Sequence, residues 1–151
     1  MGYKTLLIVD DSEIDRQILK NILDKDFMIY QAENGFQGLE VMLEKHKELD
    51  GVLLDLHMPI LDGFHVLEIM KEKGLYDIPV VIITAESTEE NLVKTIAYNI
   101  RDFTCKPYDP DTIRNRLPDL VPYTLEINKG LKGAYCGRQV KEYYNNYVTE
   151  F

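Results

Sequence analysis

The sequence predicts an α/β fold: a doubly wound parallel sheet of five strands in the order 2-1-3-4-5, helices on both faces, and a C-terminal helical extension. Three observations predict it. Short apolar runs alternate with amphipathic stretches at regular spacing along the first 120 residues, the pattern of strand–helix–strand units that feed a parallel sheet. The central run, Gly51-Val52-Leu53-Leu54-Asp55, is apolar up to a final carboxylate and is followed by Met58-Pro59 and Asp62-Gly63. A strand buried on both faces and ending in a loop reads this way. Polar residues also collect where the runs stop: Asp10 and Asp11, Asp55, Thr84, and Lys106.

Taken in order, Tyr3 to Val9 reads as a first strand ending on Asp10-Asp11. Ser12 is placed to cap a helix, with Asp15 three residues on as its capping-box partner. Ile14, Ile18, Leu19, Ile22 and Leu23 recur at helical spacing and form that helix's expected core face. Phe27 to Ala32 is a second strand, Asn34-Gly35 a turn, and Gly38 to Glu48 a second helix with Leu39, Met42 and Leu43 inward. After the Asp55 strand, Phe64, Val66, Leu67 and Met70 mark a third helix stopped by Gly74. Pro79 to Ile83 is a fourth strand ending at Thr84-Ala85-Glu86, and Glu89 to Asn99 a fourth helix with Leu92, Val93 and Ile96 inward. Asp102 to Cys105 is a short fifth strand ending at Lys106-Pro107. The last helix of this unit begins near Pro110, a suitable first-turn proline, and Pro118 is expected to interrupt it. Right-handed crossovers leave few topologies, of which the flavodoxin-like order is the natural one.

These elements occupy residues 1–120, leaving 121–151 as an extension. Within it, Val140, Tyr144, Tyr147, Val148 and Phe151 share one helical stripe. Three roles stay open for that stripe: a sixth helix packed on the same domain, a homodimer contact, or the start of a truncated output region.

Composition narrows the function. Of 151 residues, 45% are hydrophobic and 28% charged, which is ordinary for a globular chain. No uncharged apolar run is long enough for a membrane span. The N-terminus lacks a signal-peptide core, and Leu6 stands where a myristoylation signal needs Ser or Thr. Two cysteines, Cys105 and Cys136, make neither a disulfide framework nor a CxxC site, which fits a reducing, cytoplasmic setting. A net charge of -9 argues against direct binding of nucleic acid, which needs a basic face.

If the fold forms, Asp10, Asp11, Asp55, Thr84 and Lys106 converge at the carboxyl edge of one sheet, where ligands bind in open α/β folds. Singly they are unremarkable, since an Asp-Asp pair suits any helix N-terminus. Together they define a chemistry. Three carboxylates in one place repel unless a cation is present, and hard oxygen donors suit Mg²⁺. Lys106 adds a compact positive charge and Thr84 a hydroxyl donor. A carboxylate nucleophile with these neighbours can carry an acyl phosphate on Asp55.

These residues give the chain its resemblance to the receiver domain of two-component response regulators, chiefly the chemotaxis-type single-domain receivers. The matching positions are Asp10-Asp11, Asp55-Leu56-His57-Met58-Pro59 with Gly63, Thr84-Ala85, and Phe103 three residues before Lys106-Pro107. The resemblance covers about residues 3–120. It implies that Asp55 accepts a phosphoryl group from a histidine kinase or histidine phosphotransfer protein. It implies Mg²⁺ held by Asp11, Asp55, the main-chain carbonyl of His57 and, through water, Asp10. Thr84, Ala85 and Lys106 would meet the phosphoryl oxygens, and Phe103 would turn inward as Thr84 moves. The Lys106–Pro107 peptide would be cis. The domain would act on a downstream partner or output domain and would not be an enzyme beyond its own phosphorylation and dephosphorylation.

The chain departs from the family at Ile100-Arg101, where receivers commonly carry Gly-Ala before the last strand. His57 and Glu86 fall at positions that tune phosphoryl lifetime in the family. Aspartate-nucleophile phosphatases use a similar set, but they place a second Asp two residues after the nucleophile, where this chain has His57. A binding module that only borrows the face would lack the acceptor, a metal acid or the lysine, and none is missing. No helix-turn-helix-sized segment or zinc motif remains for DNA binding.

Overall fold

The computed structural model describes residues 4–75, 77–86, 88–98 and 100–120. Five strands, β1 (Lys4–Val9), β2 (Phe27–Ala32), β3 (Gly51–Asp55), β4 (Val80–Thr84) and β5 (Ile100–Cys105), alternate with five helices. The helices are α1 (Glu13–Leu23), α2 (Gly35–Lys45), α3 (Gly63–Glu72), α4 (Glu89–Ile96) and α5 (Pro110–Leu120). The sheet order is β2-β1-β3-β4-β5, and every pair is parallel, as the sequence predicts.

Successive strand residues point to opposite faces, so a sheet covered on both sides needs apolar residues without a break. Leu7, Val9, Val52, Leu54, Val80 and Ile82 face one core, closed by Leu39 and Met42 of α2, Val66, Leu67 and Met70 of α3, and Leu92 of α4. Leu6, Ile8, Leu53, Val81 and Ile83 face the other, closed by Leu19, Ile22 and Leu23 of α1 and Ile113 and Leu117 of α5. All five residues of β3 are buried, which fixes Asp55 at the centre of the sheet's carboxyl edge.

Several expectations need correction. Ile14 and Ile18 are exposed (73% and 42%), because the inward stripe of α1 runs through Asp15, Leu19 and Ile22, and its first inward position is polar. Helix α2 starts at Gly35 instead of Gly38, capped by Asn34, whose side chain accepts from the Gln37 amide at 2.9 Å. A Cβ on Gly38 would stand 2.9 Å from a Val9 methyl, so α2 lies close on β1 with Gly35, Gly38, Leu39 and Met42 inward, and Leu43 turns outward. Helix α4 ends at Ile96, short of Asn99, and Val93 is only partly buried.

Strand β5 begins at Ile100, two residues earlier than expected, because the register shifts between Val80 and Val81. Val80 pairs with Ile100 and Val81 with Asp102, leaving a fully buried Arg101 as the extra residue of a bulge. Helix α5 runs past Pro118 to Leu120, so the expected interruption does not occur there; the proline falls in the final turn, with little helix left to break. The stripe from Val140 to Phe151 lies outside the described residues. No helix among the described residues is long and apolar enough to cross a membrane.

Candidate functional site: an acidic pocket at the carboxyl edge of the sheet

Asp10 directly follows β1 and is fully buried. Its amide donates to the Ala32 carbonyl at 3.1 Å, its Oδ1 accepts from the Ser12 amide at 2.9 Å, and its carbonyl accepts from Arg16 Nη1 at 2.7 Å. The turn that ends β1 is thereby tied to β2 and to α1. Asp55 ends β3 at 3% exposure, with Oδ1 accepting from the His57 amide at 3.2 Å. Gly63 lets α3 start hard against this strand end: a Cβ there would stand 2.5 Å from the Asp55 carbonyl oxygen and 2.8 Å from Leu56 Cα. Carboxylate oxygens of Asp10, Asp11 and Asp55 all lie within 4.8 Å of one another, with Asp11 exposed and the other two buried.

Lys106 enters from the far side. Its amide donates to the Thr84 carbonyl at 2.8 Å, locking the end of β5 to β4, and the Lys106–Pro107 peptide is cis. The ammonium lies 2.8 Å from Asp15 Oδ2, 2.9 Å from Asp10 Oδ2 and 3.4 Å from Asp55 Oδ2. Burial alone would lower its pKa, but hydrogen bonds to Asp15 and Asp10 and the charges of Asp55 and Asp10 outweigh that and raise it. Burial pushes the Asp55 carboxyl up to about 7, and the charge of Asp10 adds to the rise; Lys106 and the His57 amide oppose it without cancelling it. The Tyr108 phenol is raised by burial and then by Asp10, Asp15 and Asp55, and its hydroxyl has no hydrogen-bond partner among the described residues.

Thr84 is fully buried at the end of β4, with its hydroxyl turned onto its own loop. Oγ1 accepts from the Glu86 amide at 3.1 Å and donates to the Glu86 carbonyl at 3.4 Å. Asn91 Nδ2 donates to that same carbonyl at 3.1 Å and lies 3.2 Å from His57 Nε2, which stands 3.4 Å from Glu86 Oε2. Phe103 is buried in the core (1% exposed), and Ala85 is exposed.

The structure thus gathers Asp10, Asp11, Asp55 and Lys106 into one pocket and sets Thr84 beside it with its hydroxyl engaged elsewhere. Sequence reasoning missed Asp15, read only as a capping partner, because its inward place in the first turn of α1 shows only in the packing. The tie from Asn91 across to His57 spans 34 residues and leaves no local signature. The donors suit a hard divalent cation: three clustered carboxylates, one of them pushed up by burial and then by a neighbour's charge, are an arrangement a dication relieves.

An open parallel sheet with an acidic pocket at its switch point and a lysine on cis-proline defines the class; comparison with known proteins gives the family. The model of the response regulator receiver domain matches residues 6–118, and the chain belongs to that family. It is 26% identical over 119 residues to a chemotaxis protein CheY homolog of Campylobacter jejuni, covering 77% of this chain and 91% of that one. It is 27% identical over 140 residues to the probable transcriptional regulator ycf29 of Pyropia yezoensis, covering 92% of this chain but 62% of that protein. Among solved structures, a CheX–CheY–BeF3–Mg complex from Borrelia burgdorferi is similar, at 28% identity and TM-score 0.69 over 75% of this chain and 85% of that one.

Proposed function

We propose that this chain is a phosphorylation-activated switch of a two-component system, with Asp55 as the acceptor. The observation that carries this reading is the meeting of Lys106 Nζ with the Asp55 carboxylate at 3.4 Å inside a pocket that also holds Asp10 and Asp11. A carboxylate oxygen of Asp55 attacks the phosphorus of a phosphohistidine on a histidine kinase or phosphotransfer protein. The P–N bond breaks, its electron pair leaves with the imidazole, and an aspartyl phosphate remains. Asp11, Asp55 and the His57 main-chain carbonyl, with Asp10 behind them, would hold Mg²⁺, which offsets charge on the incoming phosphoryl group.

Thr84 and Lys106 then follow the new charge of about -2. Thr84 Oγ1 gives up its two bonds to Glu86 and donates to a phosphoryl oxygen, with Ala85 carried along; the inward turn expected of Phe103 does not apply, because that ring is already buried in the core at rest. Moving the domain from 1:99 to 99:1 needs about 5.5 kcal/mol of differential binding. A few charge-assisted hydrogen bonds are of that order. The face around α4, β5 and α5 then acts on a downstream partner or an output domain.

Residues 1–120 form the receiver and 121–151 an extension that packs on it, dimerises or begins an output region; the setting is the cytoplasm. The same groups could serve an aspartate-nucleophile phosphatase, but His57 stands where that chemistry needs a carboxyl acid–base. Incubation with Mg²⁺ and acetyl phosphate followed by intact mass measurement tests the proposal. One added phosphoryl group, absent in Asp55→Asn, is expected. Steady hydrolysis without an adduct would make it a phosphatase, and no reaction at all would leave a binding module.

A further inference from the structure

We propose that Asp15 is a positioning residue that holds the Lys106 ammonium back from Asp55 and thereby sets how readily the pocket accepts a phosphoryl group. The inference rests on Asp55 being the acceptor. Its basis is the order of distances at Lys106 Nζ: 2.8 Å to Asp15, 2.9 Å to Asp10 and 3.4 Å to Asp55. The first is the length of a charge-assisted hydrogen bond and the last lies beyond one. The ammonium has three protons and can face all three carboxylates, but it rests toward Asp15.

Asp15 is suited to that role. Its side chain is 28% exposed, against 5% for Asp55, so water still reaches it while it pairs with the ammonium. Its position is also fixed. The Asp15 amide donates to the Ser12 cap at 3.2 Å, and the next residue, Arg16, donates to the Asp10 carbonyl at 2.7 Å. The first bond caps α1 and the second ties its first turn to the end of β1, so the backbone that carries the carboxylate is held in place. When a phosphoryl group arrives, Lys106 must leave Asp15 to reach it, and the lost ion pair counts against the loaded state. Asp15 therefore biases the switch toward rest while touching neither the phosphoryl group nor the acceptor.

The test uses the full chain, with Mg²⁺ and beryllofluoride as the phosphoryl mimic and binding read by titration. Asp15→Asn is expected to tighten beryllofluoride binding about threefold to tenfold, the scale of one partly exposed ion pair. Asp15→Glu, which restores a carboxylate, should return most of the wild-type value. In a Lys106→Met background, Asp15→Asn should have no effect, because the carboxylate acts through the ammonium. Unchanged affinity in Asp15→Asn overturns the inference while leaving Asp55 as acceptor. An equal gain with Lys106→Met also overturns it, since Asp15 would then act as bulk negative charge. No beryllofluoride binding by the wild type would instead remove the acceptor reading and this inference with it.

Discussion

The side-chain amide of Asn91 joins two loops across the mouth of the pocket, lying 3.2 Å from His57 Nε2 after β3 while donating to the Glu86 carbonyl after β4 at 3.1 Å. Glu86 is also the residue that occupies the Thr84 hydroxyl. Asn91, on α4, therefore ties the resting position of Thr84 to the helix that follows it. Asn91→Ala should lower stability by about 1–2 kcal/mol, the usual cost of losing such bonds in a buried place. It should also raise amide exchange at Thr84 and Glu86 above wild type. A urea melt and hydrogen-exchange NMR check both.

Thr84→Ala separates chemistry from switching. In the resting structure the hydrogen bonds of Oγ1 go to Glu86. Phosphorylation of Asp55 should therefore persist, within about threefold of the wild-type rate by the loss of one neutral hydrogen-bond donor. The phosphorylation-dependent NMR shifts across α4 and β5 should vanish. Retention of those shifts would exclude Thr84 as the coupling residue.

The pKa of Asp55 gives a pH dependence with a definite sign. The folded protein binds this proton more tightly than the unfolded chain does, because its carboxyl is pushed up to about 7 by burial, against the ordinary 3.8 of an unfolded aspartate. That contribution is full below the unfolded value and is lost as pH rises through about 7. Metal-free protein should lose stability between about pH 4 and 8, and Asp55→Asn should remove most of the slope. At pH 8 the variant should be more stable by about 1–3 kcal/mol. Mg²⁺ should restore wild-type stability at high pH, and its affinity should fall below pH 7 as protons compete. Thermal melts across pH, with and without Mg²⁺, test all three statements.

Gly63 can be replaced only by moving backbone. A methyl there meets the Asp55 carbonyl oxygen at 2.5 Å, and neither strand end nor helix start has a flexible side chain to yield. Gly63→Ala should cost about 2–4 kcal/mol and weaken Mg²⁺ binding by displacing the Asp55 strand end. A normal melt with normal Mg²⁺ affinity would show that α3 can retreat.

The sheet was legible because burial on both faces forces unbroken apolar runs, and β3 and β4 announce themselves that way. Asp10, Asp11, Asp55 and Lys106 were legible because each closes such a run and the topology brings those ends together. What could not be read depends on helix rotation and register. Ile14 and Ile18 fit a helical stripe as well as Leu19 does, and only packing shows that Asp15 takes the inward place. The bulge that buries Arg101 depends on pairing with β4, which local propensity does not encode. The Lys106–Asp15 pair spans 91 residues, so neither partner's neighbours announce it.

The most direct measurement is to expose the protein to Mg²⁺ and a small phosphoryl donor, reduce the product with borohydride, and map the modified residue by peptide mass spectrometry. Hydride converts an aspartyl phosphate to homoserine, marking the acceptor covalently. The account predicts homoserine at residue 55 alone, dependent on Mg²⁺. Homoserine at Asp10 or Asp11, or none anywhere while the donor is consumed, would contradict it.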